Sequence, residues 1–411
     1  MANYRILSLD GGGTWSLLQI MALQQIYGDR ASGRKVLKNF DLAVANSGGS
    51  IVLGGMIVDK PLDVLRGYFE DETLRSAIFA AAPPWERPLS AVLRLIRLGI
   101  GARYSAARKL EGLRKVLGDP GDRPLSALAR EVAAGNGGQR TEFVIVGFDY
   151  DSERAYFFRS NTGSNAASGA PTKEATLAEA IHASANPPVN YFDAPAGLIG
   201  RRFWDGAIAG YNNPLLAGLT EALSAGVAAR DIAVLSIGSA ATRRPVLADA
   251  GDNDADLVLT RQSSSFKRDL VKLASSILDD PPDAASFITH AILNSGAARP
   301  VGQTGNVIRM NAFVHPDRAG DRWTYPPGLT GEKEREKFRR IFKIDMDAVK
   351  QDEVNRIKEL GEWWIAGKVP NQPVRADGDS FACQIGHATF AEALAAWLTL
   401  AGGGPQSPDI S

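Results

Sequence analysis

The hydrophobic pattern of the first 60 residues predicts two consecutive strand–turn–helix units. In the first unit, an apolar strand over 4–9 meets a glycine run at 10–13, and apolar positions with helical spacing follow over 14–27. The second unit repeats this order, with a strand over 40–45, a Ser/Gly turn and an apolar helix over 50–58. Each unit is therefore expected to add one buried strand and one covering helix to a common sheet.

Strand and helix patterns continue to alternate through the first two thirds of the chain. Such alternation is typical of an α/β domain with a mostly parallel sheet. Beyond about residue 262 helical patterns dominate. The further elements predicted are helices over 60–118, a hairpin of strands 142–149 and 154–159, a helix over 177–185, a strand over 202–204, a helix after Asn212-Asn213-Pro214, and strands over 232–237 and 306–312.

Composition and charge narrow the class of protein. Lys+Arg and Asp+Glu both number 46, so the chain lacks the basic excess of a nucleic-acid binder. Its one cysteine, Cys383, allows no internal disulfide and no cysteine-based metal site. The chain shows no signal-peptide pattern, and no apolar run reaches the roughly 18 residues of a transmembrane helix. We therefore expect a soluble, cytoplasmic protein that binds no nucleic acid.

The turn Ala45-Asn46-Ser47-Gly48-Gly49 is close to the G-x-S-x-G nucleophile elbow. In that elbow a strand turns sharply into a helix, and small residues two positions either side of the serine let the turn close. Ala45 replaces the usual first glycine with the next smallest residue. Ser47 is thus a candidate nucleophile, and the alternative is a serine that only caps a helix.

The glycine run Asp10-Gly11-Gly12-Gly13 also has more than one interpretation. It lacks the Gly-Lys-Ser/Thr ending of a P-loop and the G-x-G-x-x-G spacing of a dinucleotide fold. Its uncovered backbone N–H groups could form an oxyanion hole for a tetrahedral acyl intermediate. A plain tight turn is the other possibility.

A serine nucleophile needs a base, and two kinds of base are available in this sequence. Asp205 follows a short strand and precedes Gly206, so its carboxylate could face a site directly; it could also simply initiate a turn. A Ser-His-Asp triad in α/β-hydrolase order needs a later histidine, and His290, His315 and His387 satisfy that order. None of these three lies in a recognisable loop motif. Neither they nor His182 show the H-E-x-x-H spacing of a zinc hydrolase.

Taken together, four motifs in this order resemble the patatin-like phospholipase family. They are the glycine run 10–13, the serine turn 45–49, the segment Ala183-Ser184-Ala185-Asn186-Pro187-Pro188 with Tyr191-Phe192, and Asp205-Gly206-Ala207 with Asn212-Asn213-Pro214. The segments Ile308-Arg309-Met310 and 352–364 also resemble the family's C-terminal part, so the likeness spans roughly residues 4–365.

The resemblance implies a three-layer α/β/α fold and a lipid acyl hydrolase that uses no metal or other cofactor. It implies a catalytic dyad of Ser47 and Asp205 without histidine, with an oxyanion hole formed by Gly11, Gly12 and Gly13. It also implies a lipid substrate and transient contact with a membrane surface. We accordingly expect a hydrolase domain over 1–370, a helical appendage over 371–401 and a disordered tail over 402–411.

The glycine loop departs from the family's pattern at two positions, and residues 89–100 add a feature that the family's motifs do not include. The family's glycine loop usually continues with an arginine and a glycine, whereas Trp15 and Ser16 occupy those positions here. Residues 89–100 form an apolar helical pattern with Arg94 and Arg97 on one narrow face. That pattern fits either a helix at the lipid surface or a helix packed on the core. A Ser-His-Asp esterase and a catalytically silent binding module remain the alternative functions.

Overall fold

We describe the protein from a computed structural model, over the residues 4–78, 104–161, 174–188, 191–294, 305–346, 348–374 and 386–402. The apolar segment 89–100, Cys383 and residues 403–411 of the predicted tail lie outside these ranges.

The centre of the molecule is an eight-stranded sheet with the order β11-β7-β1-β2-β3-β6-β5, in which β4 pairs with β3. Strands β11, β7, β1, β2 and β3 are parallel, while β4, β5 and β6 join by antiparallel pairing. The prediction of a mostly parallel sheet is therefore confirmed. The eight strands are β1 (Tyr4–Leu9), β2 (Leu42–Asn46), β3 (Glu142–Asp149), β4 (Arg154–Arg159), β5 (Ala196–Leu198), β6 (Arg201–Asp205), β7 (Ile232–Ile237) and β11 (Val307–Met310).

Helices cover both faces of this sheet, because alternate strand residues point to opposite sides. On one face Ile6, Val44 and Val234 pack in a cluster that also holds Leu215 and Leu219 of a covering helix. On the other face Leu7, Ala43 and Leu235 belong to a larger cluster with the remaining helices. The three-layer α/β/α arrangement is thus confirmed.

Most helices lie in segments whose apolar pattern predicts a helix, whereas the helices Gly33–Leu37 and Leu125–Gly135 were not predicted; short 3₁₀ turns occur at Gly13–Ser16 and Gly206–Ala209. Within the described ranges they are α1 (Leu17–Tyr27), α2 (Gly33–Leu37), α3 (Ser47–Ile57), α4 (Leu62–Glu70), α5 (Glu72–Ile78), α6 (Ala106–Leu117), α7 (Leu125–Gly135), α8 (Leu177–Ser184), α9 (Leu215–Ser224), α10 (Phe266–Leu293), α11 (Glu332–Ile341), α12 (Gln351–Ile365) and α13 (Phe390–Leu400).

The pairing of β3 brings the ends of two other strands together. Strand β2 runs along β3 up to the pair Asn46–Val146, and β6 takes over from the pair Gly147–Asp205. Because β4 occupies the opposite edge of β3, β2 and β6 share one edge and meet end to end. The residue that follows β2 and the last residue of β6 therefore lie at the same point of the sheet.

Several predicted element boundaries differ from those in the structure. Helix α3 begins at Ser47 rather than at residue 50, because the Ser/Gly segment taken as a turn already has a helical course. The C-terminal part also contains short strands that the sequence pattern does not reveal. They are β8 (Ala241–Thr242), β9 (Val246–Leu247), β10 (Leu259–Thr260), β12 (Phe313–Val314), β13 (Asp317–Ala319) and β14 (Arg322–Thr324).

Candidate active site

Ser47 lies at a strained turn between β2 and α3. Its φ of +48° falls in the left-handed region, which is rare for a residue other than glycine. The Ser47 N–H donates to Ser184 Oγ at 2.9 Å, and Ser50 Oγ donates to the Ser47 carbonyl at 2.5 Å. A serine held in such a conformation where a strand turns into a helix has the geometry of a nucleophile elbow.

The glycines after Ser47 allow the elbow to touch the glycine loop. A Cβ atom at Gly48 would lie 2.5 Å from the carbonyl oxygen of Gly13, and one at Gly49 would lie 2.6 Å from that of Asp10. Both distances are too short for a real side chain. The two motifs found separately in the sequence are thus in direct backbone contact.

Asp205 lies beside the elbow, at the end of β6. The Asn46 side chain donates from Nδ2 to Asp205 Oδ1 at 3.0 Å, and the Ala207 N–H donates to the same oxygen at 2.9 Å. A Cβ at Gly206 would approach the Asn46 side chain to 2.5 Å, so the turn after Asp205 also needs a glycine. The structure therefore places Asp205 and Ser47 together, although they are 158 positions apart in the sequence.

The surroundings of Asp205 favour a basic carboxylate. Burial raises the pKa of Asp205 above the ordinary aspartate value. The Ala207 N–H, the side chains of Ser47 and Asn46, and the charge of Lys109 oppose that rise in pKa. A buried carboxylate that has a raised pKa and lies beside a serine can accept the proton of the serine hydroxyl.

Of the three glycine N–H groups in the loop, one donates a backbone hydrogen bond, and within the described residues the other two donate none. The Gly11 N–H donates to the Asn212 carbonyl at 2.7 Å, so this N–H differs from the prediction that it faces an oxyanion. Across the described residues, the N–H groups of Gly12 and Gly13 donate to no backbone carbonyl. Gly13 has a φ of +55° and borders the space above Ser47.

A buried ion pair anchors the start of this loop. Arg309 on β11 donates from Nη1 and Nη2 to the two carboxylate oxygens of Asp10, at 2.9 and 2.5 Å. Arg309 Nη1 also donates to Ser236 Oγ on β7 at 2.7 Å. The pair ties the loop after β1 across β7 to β11.

The residue that replaces the family's arginine fastens another segment to the loop. The Trp15 indole N–H donates to the Asp345 carbonyl at 3.0 Å, and the Thr14 N–H donates to the Met346 carbonyl at 3.2 Å. Trp15 is buried, and Met346 borders the space above Ser47. The departure from the family's pattern thus fixes one wall of the site.

The space above Ser47 is narrow and mostly apolar. Its volume of about 20 Å³ has room for roughly one water molecule. The enclosed part of this space is therefore smaller than an acyl chain. The lining residues are Gly13, Ser47, Gly48, Ile51, Tyr104, Ala185, Pro187, Tyr191, Phe192 and Met346.

The four histidines do not complete a triad in this arrangement. Within the described residues, no histidine lines the space above Ser47 or hydrogen-bonds to Asp205. Burial, helped by the charges of Lys109 and Arg114, lowers the pKa of His182 to about 2, so that ring is neutral. Over the same part of the chain, no group of three or more His, Cys, Asp or Glu side chains could hold a metal ion.

Sequence reasoning missed several groups that surround the pair. Asn46 and Ser184 both lie inside quoted motifs, yet their hydrogen bonds to Asp205 and to the Ser47 backbone have no sequence signal. Lys109 is 1% exposed and is coupled electrostatically to Asp205, although it stands in an amphipathic helix where a solvated lysine is the usual expectation.

The fold and the site together define a three-layer α/β protein that carries its candidate serine on a nucleophile elbow. Within that class, the chain belongs to the patatin-like phospholipase family, whose sequence profile matches residues 7–219, just over half of the chain. The family predicted from the four motifs is thereby confirmed, and with it a relation to lipid hydrolases. No curated protein matches the chain significantly.

Two solved structures show remote likeness to the whole chain. VipD from Legionella pneumophila is 10% identical with a TM-score of 0.35, over 88% of this chain and 67% of the VipD chain. The type III effector protein ExoU is also 10% identical, with a TM-score of 0.25, over 88% of this chain and 54% of its own. Among the helices of the described ranges, none is long and apolar enough to cross a bilayer.

Proposed function

We propose that the protein is a serine lipid acyl hydrolase, of the phospholipase A or esterase type, with a dyad of Ser47 and Asp205. The observation that carries this proposal is the meeting of β2 and β6 along β3, which sets a strained serine beside a buried carboxylate. Family membership supports a lipid ester as the substrate class.

In the proposed reaction Asp205 accepts the proton of Ser47 while Oγ forms a bond to the ester carbonyl carbon. The tetrahedral intermediate collapses as the bond to the leaving oxygen breaks, and Asp205 returns the proton to that oxygen. Asp205 then takes a proton from water, whose oxygen attacks the acyl-enzyme. The fatty acid leaves as the proton returns to Ser47 Oγ.

The N–H groups of Gly12 and Gly13 are our candidates for the oxyanion hole. They are uncovered among the described residues, and the loop contacts the elbow through Gly48. We omit Gly11 from this role because its N–H already donates to Asn212. Donors fixed in advance stabilise the negative charge that develops on the carbonyl oxygen.

The proposal is tested by removing each member of the dyad. Ser47→Ala and Asp205→Asn should each nearly abolish hydrolysis of phospholipids and p-nitrophenyl esters, because the two groups act as one unit. Asp149→Asn is a matched control, since this carboxylate is also buried but pairs with Arg201 away from the elbow. A folded Ser47→Ala variant with full activity would refute the dyad.

Covalent labelling separates the proposal from its two alternatives. A fluorophosphonate probe should label the wild type at Ser47, whereas a silent binding module would not be labelled. Alanine at His290, His315 or His387 should leave labelling intact. Loss of labelling in one of these three variants, with the fold preserved, would instead support a Ser-His-Asp triad.

The pH profile of hydrolysis gives an independent test. Only ionised Asp205 can act as a base, so activity should fall as pH decreases through its pKa. Burial raises the pKa of Asp205. The acidic limb of the pH–activity profile should therefore lie above about 3.9, the pKa of an exposed aspartate. A limb at or below that value would contradict Asp205 as the base.

We also propose transient contact with a lipid surface through residues 89–100. The support is the sequence pattern alone, in which arginines flank a broad apolar face. The double variant Leu93→Asp with Ile96→Asp should weaken liposome binding and spare hydrolysis of a short soluble ester. If the variant unfolds, or loses liposome binding and ester hydrolysis to the same extent, the segment belongs to the core.

A further inference from the structure

Helix α6 carries a lysine that has no access to solvent. Lys109 Nζ donates to the carbonyl oxygens of His182 and Ala185, at 3.0 and 2.5 Å, and to Asn186 Oδ1 at 3.2 Å. The same nitrogen lies 4.1 Å from the ring centroid of Phe192. The side chain therefore ends in a cage of three oxygen acceptors and one aromatic face.

This cage fits the ammonium form of Lys109. Three acceptors match the three N–H groups of an ammonium ion, while a neutral amine would turn its lone pair towards an oxygen. Two of the acceptors lie at the C-terminal end of α8, the carbonyl of His182 in its last turn and that of the C-cap residue Ala185, and the negative end of a helix dipole favours a cation. Burial lowers the pKa of Lys109, and the charge of Asp205 opposes that lowering.

The cage is also joined to Asp205. The Asp205 N–H donates to the Asn186 carbonyl at 3.0 Å, while Asn186 accepts from Lys109 through its side chain. Ala185 and Phe192, which contact Nζ, line the space above Ser47. Lys109 therefore contacts both Asn186, which binds the Asp205 backbone, and Phe192, which lines the space above Ser47.

Lys109 and Asp205 influence each other's ionisation. The charge of Lys109 lowers the pKa of Asp205, and the charge of Asp205 raises the pKa of Lys109, in each case against the effect of burial. His182, whose carbonyl Lys109 binds, is neutral because its pKa is about 2. Arg114, one helical turn further along α6, pairs with Asp122 at the surface.

We propose that Lys109 is a positioning residue whose buried positive charge keeps Asp205 ionised and whose contacts hold the Asn186 turn against β6. The inference rests on the proposed function, because ionised Asp205 is useful only as the base for Ser47. It goes beyond that function by naming a third group on which the working pH range depends.

The first test compares pH profiles of kcat/KM for a soluble p-nitrophenyl ester. Lys109→Met removes the charge and keeps an unbranched side chain that is one atom shorter. Its acidic limb should move to higher pH, because loss of the opposite charge lets the pKa of Asp205 rise further. Arg114→Met removes an exposed charge from the same helix and should leave the limb unmoved.

If the Lys109→Met variant does not fold, a second measurement tests the inference. Coupling between two charges is reciprocal, so loss of the Asp205 charge must lower the pKa of Lys109. The 13Cε shift of Lys109 is followed against pH in wild type and in the isosteric Asp205→Asn variant. The lysine should titrate at lower pH in the variant, and an identical titration in both would overturn the inference.

The outcomes for Lys109 and for the dyad are distinguishable. If Ser47→Ala retains the hydrolysis, the dyad fails and the inference falls with it. If hydrolysis depends on Ser47 while a folded Lys109→Met variant keeps the wild-type limb and loses only stability, Lys109 merely caps α8. That second result overturns the inference and leaves the proposed function standing.

Discussion

Replacing Arg309 with methionine should expose how strongly the glycine loop depends on its buried ion pair. The substitution removes the two hydrogen bonds to Asp10 and the one to Ser236, and it keeps an unbranched side chain. The paired side chains of Arg309 and Asp10 are only 4% and 5% exposed. Removing one partner of such a pair strands a buried charge, so we expect a loss of about 3–5 kcal/mol in the free energy of unfolding at pH 7.

The loss in the free energy of unfolding caused by Arg309→Met should depend on pH. Burial raises the pKa of Asp10, and Arg309 opposes that rise, so the pKa in the variant must be higher still. A carboxyl whose folded pKa exceeds the unfolded value of about 3.9 destabilises the fold when it ionises. Stability is therefore retained below the unfolded pKa and lost as pH rises through the raised folded pKa. The variant should lose less stability at pH 5 than at pH 7.

Urea unfolding followed by tryptophan fluorescence at the two pH values measures this effect. The double variant Asp10→Asn with Arg309→Met leaves no unpaired charge at this site and should recover most of the loss at pH 7. Arg202→Met is a matched control, because its ion pair with Asp151 is about half exposed and should contribute little to stability. A loss below about 1 kcal/mol for Arg309→Met, or equal losses at both pH values, would refute the reasoning.

Three further results are expected. Gly12→Val should lower kcat roughly 10²–10³-fold, because its side chain would overlap Ser239 and displace an oxyanion donor; unchanged turnover in a folded variant would make the loop a plain turn. Met346→Ala should raise the ratio of long-chain to short-chain ester hydrolysis, because it widens a space of about 20 Å³; equal changes for both chain lengths would contradict this. Hydrolysis should survive EDTA, because the dyad needs no metal; complete loss that zinc or calcium restores would count against the dyad.

The sheet could be predicted well where strands are buried on both faces. Strands β1 and β7 occupy the residues predicted for them, because predominantly apolar runs bounded by polar or glycine residues mark such strands. The start of α3 could not be predicted, since glycines disfavour helix and the reason for them is contact with the glycine loop. The two-residue strand pair of β8 and β12 is too short to produce an alternating pattern.

The local parts of the candidate site could be predicted, and the parts that join them could not. Ser47 and Asp205 stand in motifs whose small neighbours reflect tight turns, so each motif carries its own signal. The roles inferred for Lys109 and Arg309 depend on acceptors that are at least 73 positions away in sequence. No local pattern distinguishes either from a solvated cation.

The left-handed backbone conformation of Ser47 lowers the stability of the fold at the same position that the proposed catalysis requires. A residue with a side chain in this region costs of order 1–3 kcal/mol, which the surrounding hydrogen bonds must offset. Glycine there would relieve the strain and delete the hydroxyl together, whereas alanine would delete the hydroxyl and retain the strain. If the proposed hydrolysis were no longer needed in a lineage, selection for stability alone would favour glycine at position 47, so catalytically silent relatives of this protein should have glycine there.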